Sequence, residues 1–398
     1  MEAKTGPHDP YSEWSQAEQS DIRKWSGDQS QMVLVEDPAA RTGLYSDVVY
    51  KQLALKNGLI NKMTKQQLKE KLAEYKLDTR GLKEALKKRL KAFYKRRKLT
   101  AAHIQPHTAK PRVDFLLVID FEATCQENTT NYRHEIIEFP IVVIDTHRCQ
   151  VTQEFHSYVK PVVNSRLSDF CTDLTAITQE MVDSAEEFPT VLARVESWME
   201  EQGFVKPCKF AVVTDGPWDM SRFMKLQCEI SSLPFPRWAR QWINVRKTFS
   251  NMYKCRRTNL ANMLENLGMT FEGHQHSGID DARNIARIAL CMMQDGCNMR
   301  VNERLHQSGN ECSVVTVTRR SNSSDDDGSE DEQNDAGECI QCNGESDLVS
   351  AIEGVSLGND SGDTGRKCEQ TSSRYATLHH SEDECVDDLI AYYALQKS

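Results

Sequence analysis

The sequence predicts an α/β domain with a mixed central sheet flanked by helices, preceded by a small helical module and bounded by disordered termini. Three observations carry this. FLLVIDF (115–121), IIEFPIVVID (136–145) and KFAVVTD (209–215) are apolar runs of strand length, continuous enough to be buried on both faces. Segments of helical period lie between and after them. A leucine-lined, strongly basic stretch stands apart upstream, over residues 61–98.

Residues 1–44 are polar, show no sustained period and are expected to be disordered. The opening MEAKTGPHDPYSEW lacks the apolar core of a signal peptide. No run approaches the ~18 apolar residues of a membrane span, so no membrane partner is expected. From 45 to 61 the pattern is an amphipathic helix closed by Asn57-Gly58. Thr64 can cap the next helix, with Gln67 as its capping-box partner and Leu68 and Leu72 on one face. Asp78-Thr79-Arg80-Gly81 reads as a turn, after which Leu82, Leu86, Leu90 and Phe93 line a second helix. The module therefore spans 45–98, and LTAAHIQPHTAKPR (99–112) is a linker.

The α/β domain is expected over 113–305. FLLVIDF is its central strand, with IIEFPIVVID and EFHSYVKP (154–161) beside it, and Pro140 puts the second strand near an edge or bulge. Helices are predicted near 174–184 and 188–202, at 218–230 after KFAVVTD, and near 258–267 and 279–294. Residues 306–398 form a predicted acidic, disordered tail: from 308 onward there are 20 Asp+Glu against 6 Lys+Arg, and neither Trp nor Phe. CVDDLIAYYALQ (385–396) within it is an amphipathic patch, expected as a transient terminal helix, with a docking helix as the alternative. Cys339 and Cys342, with Cys368, His379, His380 and Cys385, are spaced too loosely for a zinc site. Thirteen cysteines is an odd number, and eight of them stand singly between Cys125 and Cys297. Reduced thiols in a nuclear or cytosolic protein are the expectation.

A net charge of −10 conceals a partition. The tail from 308 carries −14, leaving +4 on the rest, and residues 61–98 alone hold 15 Lys+Arg against 4 Asp+Glu. Such a run is often a solvated face or a nuclear-import signal. At this density it also suits a polyanion, whose counterions it would release on binding.

Four carboxylates and a histidine concentrate the chemistry. Asp120 and Glu122, at i and i+2 where the first strand leaves the core, face the same side. Asp219 opens the helix after KFAVVTD, and Asp281 lies in the first turn of the last helix, both where helix N-termini favour a carboxylate. His276, in the glycine-flanked GHQHSG, has an ordinary pKa suited to accepting a proton near neutrality. His274 beside it reads as an exposed loop histidine, and Asp280 as a helix cap. Each fragment alone is ordinary. In this order they suit two divalent cations, Mg²⁺ or Mn²⁺, with a general base beside them: a site for hydrolysing phosphodiesters. Trp218, one residue before Asp219, offers an aromatic face on which a base of any identity can stack.

These motifs resemble the DEDDh 3′-5′ exonucleases, whose fold is RNase H-like. VIDFEATC, HEIIEFP, LSDFC, TDGPWDMSRF, QWINVRKTF and GIDDARNIARIA are most similar to the histone-mRNA 3′-end exoribonucleases of the enhancer-of-RNAi type. The basic stretch looks like the SAP module of that group. The resemblance covers about 45–305 and departs at LTAIT (174–178), where relatives often have glycine in place of Ala176. It implies metal ligation by Asp120, Glu122, Asp219 and Asp281, catalysis by Glu122 and His276, and a terminal-nucleotide pocket of Ala123, Thr124, Trp218, Met220 and His276. It also implies RNA contacts by Lys88, Arg89, Lys91 and Lys95. Implied substrates are the histone mRNA stem-loop, the 5.8S rRNA 3′ end and short interfering RNA duplexes. Implied partners are a stem-loop-binding protein and ribosomal subunits, for a monomer found in cytoplasm, nucleus and nucleolus. Two other readings stay open at this point: a non-catalytic stem-loop RNA-binding scaffold, and a DNA-directed proofreading exonuclease.

Overall fold

A computed structural model describes residues 48–101, 112–127, 132–205, 208–308 and 311–317. The expected disorder of 1–44, the cysteine–histidine set and the 385–396 patch lie outside these residues. No helix among the described residues is long and apolar enough to cross a membrane.

The module consists of α1 (Val48–Lys62), α2 (Lys65–Glu74) and α3 (Lys83–Ala101). α1 does not close at Asn57-Gly58 but runs through it. The helix buries Leu53 and Ile60 on either side of the glycine, which outweighs the ~1 kcal/mol a glycine costs there. The capping box forms as read: Thr64 Oγ1 accepts the Gln67 N–H, and Gln67 Oε1 accepts the Thr64 N–H at 2.8 Å. Leu68, Leu72, Leu86 and Leu90 complete the module's core with Tyr94. α3 continues to Ala101, into the predicted linker, because Leu99 is buried in its last turn.

The eight-stranded sheet comprises β1 (Phe115–Val118), β2 (Glu122–Ala123), β3 (Ile136–Asp145), β4 (Gln150–Tyr158), β5 (Phe210–Thr214), β6 (Gln241–Asn244), β7 (Glu303–Ser308) and β8 (Glu311–Thr316). Its order is β2-β3-β1-β5-β6-β7-β8, with β4 also paired to β3; β1, β5 and β6 run parallel and the other pairings are antiparallel. Helices cover both faces. Leu116 and Val118 pack toward α8 (Val245–Tyr253), α9 (Leu260–Leu267) and α10 (Gly278–Gln294). Leu117 and Ile119 pack toward α6 (Phe188–Glu201) and the π-helical segment Asp219–Met224 that leads into α7 (Lys225–Ile230).

Several expectations need correction. The first strand stops at Val118 instead of running to 121. Carrying the register from Val118↔Val142 to Glu122↔Glu138 sets Pro140 opposite Asp120. Proline has no N–H to give, so the ladder opens where Asp120 must leave it. β3 is not an edge strand, since β4 pairs along it, Pro140↔His156 included, but its pairing is irregular close to Pro140, where the register against β2 shifts between Glu138 and Ile136, and again at Val143/Ile144. The helix predicted over 174–184 is two, α4 (Asp169–Thr175) and α5 (Gln179–Asp183), broken at Ala176 with φ 58°. This left-handed geometry is what glycine adopts without strain. The helix predicted over 218–230 begins π-helical. β6 and α8 were not anticipated, and neither was the hairpin that carries the domain past 305 to Thr316. That hairpin is anchored by Glu303, buried where its oxygens meet Trp242 Nε1 at 2.7 Å and Asn244 Nδ2 at 3.1 Å, with Lys247 beside them.

The module is joined to the α/β domain by buried contacts. Leu82 donates its N–H to the Asn266 carbonyl at 2.8 Å, and Ala85 enters the same apolar cluster as α8, α9 and α10. Arg89 is 7% exposed. Its Nε donates to Asp295 Oδ1 at 2.9 Å, its Nη1 donates to the carbonyls of Asp78 and Arg80, and Tyr253 OH also donates to Asp295. Arg89, expected on RNA, is therefore committed to the domain junction. Lys91 reaches Asn61 Oδ1 at 2.6 Å, whereas Lys88 is half-buried and Lys95 exposed.

Two stability outcomes follow. Ala176→Gly should raise the urea midpoint, with the slope unchanged, by about 1 kcal/mol of stability. Arg89→Ala should cost about 3 kcal/mol or more by leaving Asp295 buried without its counter-charge, while Lys95→Ala stays within about 0.5 kcal/mol. An Arg89 variant as stable as the parent would show that the junction is not held this way.

Candidate active site

Asp120 stands two residues past the end of β1, and by alternation it faces the α10 side with Leu116 and Val118. Glu122 restarts the ladder on β2, opposite Glu138. Asp219 is the first residue of the π-helical segment, and its Oδ1 accepts the Phe121 N–H at 2.9 Å. It is thereby tied to the link between Asp120 and Glu122. Asp281 lies in the first turn of α10, where its Oδ2 accepts the His276 N–H at 2.8 Å. His276 takes φ 64°, an uncommon geometry for a residue with a side chain.

Two residues that sequence reasoning missed seat α10 against the strands. Ser277 stands at the N-cap position without a side-chain capping bond. Glu138 supplies the cap from β3: Oε2 accepts the Gly278 N–H at 2.8 Å, Oε1 accepts the Ile279 N–H at 3.1 Å, and His156 Nε2 lies 2.7 Å from Oε1. A methyl group on Gly278 would stand 2.6 Å from the Asp120 carbonyl oxygen. The helix end therefore presses directly on the Asp120 backbone and brings Asp281 to it. Asp280, expected as the helix cap, lies instead within the first turn, where it accepts the loop N–H of His274 at 2.9 Å and pairs with Arg283.

Burial first, and then the charges of the other acids, push the Asp120 and Glu122 carboxyls well above the usual carboxylate range. Burial likewise raises Asp219 to about 7 and Asp281 to about 8, with Asp215 adding to both. Opposing this at Asp219 are the Phe121 N–H and the charge of Arg246, which itself pairs with Asp215. Acids crowded this closely out of water call for a cation. Ligand atoms of Glu122, His276 and Asp281 lie within 4.8 Å of one another, and the donors are carboxylate oxygens with one imidazole. Such a set suits a hard divalent ion that keeps some of its water. Asp120 and Glu122 retain some accessible surface, so the cluster is open on one side. His276 is pushed below its ordinary pKa of 6.5 by burial, with His274 nearby adding to the effect, which keeps it neutral.

The expected pocket residues divide. Trp218 is half-buried, and the Arg222 guanidinium lies 4.6 Å from its ring centroid. Met220, in contrast, is wholly buried among the apolar side chains under the sheet. Thr124 is 1% exposed, with its Oγ1 accepting the Glu135 N–H at 2.9 Å, and Ala123 is buried and paired to Ile136. These three back the wall and do not line it with side chains. Glu135, also buried, accepts the N–H groups of Val162, Val163 and Asn164. The signal for Glu135 and Glu138 was present: two acids inside the otherwise apolar HEIIEFPIVV.

Comparison with known proteins agrees with this geometry. Residues 117–289 match the Exonuclease family and residues 59–95 the SAP domain. The 3′-5′ exoribonuclease 1 of Rattus norvegicus is 50% identical over 267 residues, covering 66% of this chain and 77% of the rat protein. That of Homo sapiens is 49% identical over 265 residues, covering 66% and 75%. A solved structure described as 3′-end specific recognition of histone mRNA stem-loop by 3′-exonuclease has 46% identity and a TM-score of 0.52, covering 69% of this chain and 95% of its own. At this identity and coverage, with the exonuclease and SAP matches beside it, the chain belongs to the 3′-5′ exoribonuclease 1 family of exonucleases.

Proposed function

We propose that this exoribonuclease is Mg²⁺-dependent and trims structured RNA 3′ ends, releasing nucleoside 5′-monophosphates. The observation that carries the reading is the convergence of Asp120, Glu122, Asp219 and Asp281 beside a neutral His276. The four carboxylates would hold two divalent cations, Mn²⁺ being the natural substitute. When bound, these would favour ionisation of the attacking water and offset charge on the leaving oxygen. His276 accepts the proton that the water gives up as its oxygen attacks the scissile phosphorus. The bond from phosphorus to the 3′-oxygen breaks, and the phosphate departs on the 5′-oxygen of the released nucleotide. Glu122 faces that nucleotide beside His276, and Trp218 offers its ring to the terminal base.

Lys88, Lys91 and Lys95 form a basic face on α3, a helix that the Arg89–Asp295 contact fixes to the nuclease domain. A rigidly held basic face suits an RNA duplex, recognised by shape and phosphates, whose 3′ end enters the site. The solved relative's description concerns the histone mRNA stem-loop. We extend that substrate to this chain, together with the 5.8S rRNA 3′ end and short interfering RNA duplexes. A stem-loop-binding protein and ribosomal subunits as partners, a monomeric state, and residence in cytoplasm, nucleus and nucleolus belong to the same proposal.

With 3′-overhang RNA and Mg²⁺, purified protein should release 5′-monophosphates, EDTA should stop it and added Mg²⁺ should restore it. Trimming that persists in EDTA, or in Asp120→Asn protein, would sink the metal mechanism. His276→Ala should lower kcat by roughly 10²–10⁴-fold. Because the neutral imidazole is the active form and burial lowers its pKa, kcat should hold through neutrality and fall only below pH 6.5. Release of 2′-deoxy ends in preference to ribose ends would instead favour a DNA-directed enzyme.

A further inference from the structure

The wall that carries Trp218 also carries a charge the reaction above does not use. Arg222 lies on the π-helical segment, three residues after Asp219 and four after Trp218, and is exposed at the surface with its guanidinium over the Trp218 ring. Several arginines of this domain hold carboxylates, among them Arg194 with Glu186, Arg246 with Asp215, Arg283 with Glu154 and Arg287 with Glu272. Among the described residues, Arg222 has no such ion pair.

Its surroundings place it at the rim of the cleft. His134, within reach of the Arg222 charge, has its ring 5.8 Å from Phe223 and 5.2 Å from Tyr132. His134 Nδ1 lies 2.7 Å from the Thr124 carbonyl, two residues beyond Glu122. One wall thus runs from the acidic cluster through Thr124 and His134 to Arg222. A guanidinium laid on an aromatic face keeps its N–H edge available for forked hydrogen bonds to phosphate oxygens. The scissile phosphate belongs at the acids, deep in the cleft. A cation at the rim meets the next phosphate along the strand.

We propose that Arg222, using Trp218 as its platform, binds the RNA backbone phosphate adjacent to the scissile one on its 5′ side. This rests on the exonuclease reading above. It makes Arg222 a substrate-binding residue of an upstream subsite, and leaves the other face of Trp218 for the terminal base.

The test pairs a protein change with a substrate change. The probes are short RNA oligonucleotides in which the linkage next to the scissile one is either an ordinary phosphate or a neutral methylphosphonate. Both carry a 2′-O-methyl ribose on the 5′ side of that linkage for chemical stability. On the ordinary strand, Arg222→Met should lower kcat/KM roughly tenfold, chiefly through KM, as expected for one charge-assisted contact. The methylphosphonate should cost the parent enzyme a similar factor, and the two changes together should cost no more than either alone. Arg222→Lys should recover part of the loss on the ordinary strand only. Losses that multiply in combination, or an Arg222→Met enzyme with unchanged KM, would overturn the subsite. If the parent fails to release 5′-nucleotides from the ordinary strand in Mg²⁺ or Mn²⁺, the exonuclease reading falls, a result distinct from either of these.

Discussion

The seating of one helix end organises this enzyme. α10 begins against β1, held by the Glu138 carboxylate across two backbone N–H groups and admitted by a glycine with no Cβ to strike Asp120. The bonds are charge-assisted and lie at the positive end of a helix dipole, the setting in which a buried carboxylate is best satisfied. Everything catalytic hangs from that contact. Asp281 and the His276 loop travel with α10, whereas Asp120 and Glu122 travel with the sheet. Asp219, bonded to the Phe121 N–H, completes the cluster from the opposite helical layer.

The site is held against its own electrostatics. Burial, and after it the charges of nearby acids, raise the carboxyl pKa values of Asp120, Glu122, Asp219 and Asp281, and His276 adopts a left-handed backbone to sit beside them. Conformations and charges of this kind persist only where the surrounding structure over-determines them, and they cluster where chemistry is done. Here the determinants are a complete sheet, a capped helix and a close backbone contact. Bound cations would relieve the repulsion, so what is unfavourable in the bare fold becomes affinity for metal.

The helical module is part of the same rigid frame. Arg89 and Asp295 form a buried ion pair supported by Tyr253 and two carbonyls, and Leu82 and Ala85 add a hydrogen bond and apolar contact. Buried pairs add little net stability over apolar packing, but they tolerate little displacement. The contact therefore fixes the direction in which the exposed lysines of α3 point relative to the cleft. A basic segment of +11 in a chain of net −10 then works as a local field.

Much of this was legible in one dimension. The leucine spacing of the module, the Thr64–Gln67 cap and the apolar strands follow from local pattern, because capping, burial and alternation are local rules. Ala176, where the sequence departs from the family it resembles, takes the left-handed backbone that glycine adopts without strain. The partners of Glu138, Arg89 and Pro140 were not legible, since each lies on a distant segment: Gly278, Asp295 and the opening at Asp120. A charge in the sequence reads the same whether it meets RNA or a buried aspartate, which is why Arg89 was placed on the wrong partner. The sequence by itself picked out the acids and the histidine proposed for the chemistry and put them at the ends of strands and helices. Only the tertiary structure decided how they meet, because the contacts that set those distances, such as Glu138 with Gly278 and Asp219 with Phe121, join different elements of the fold.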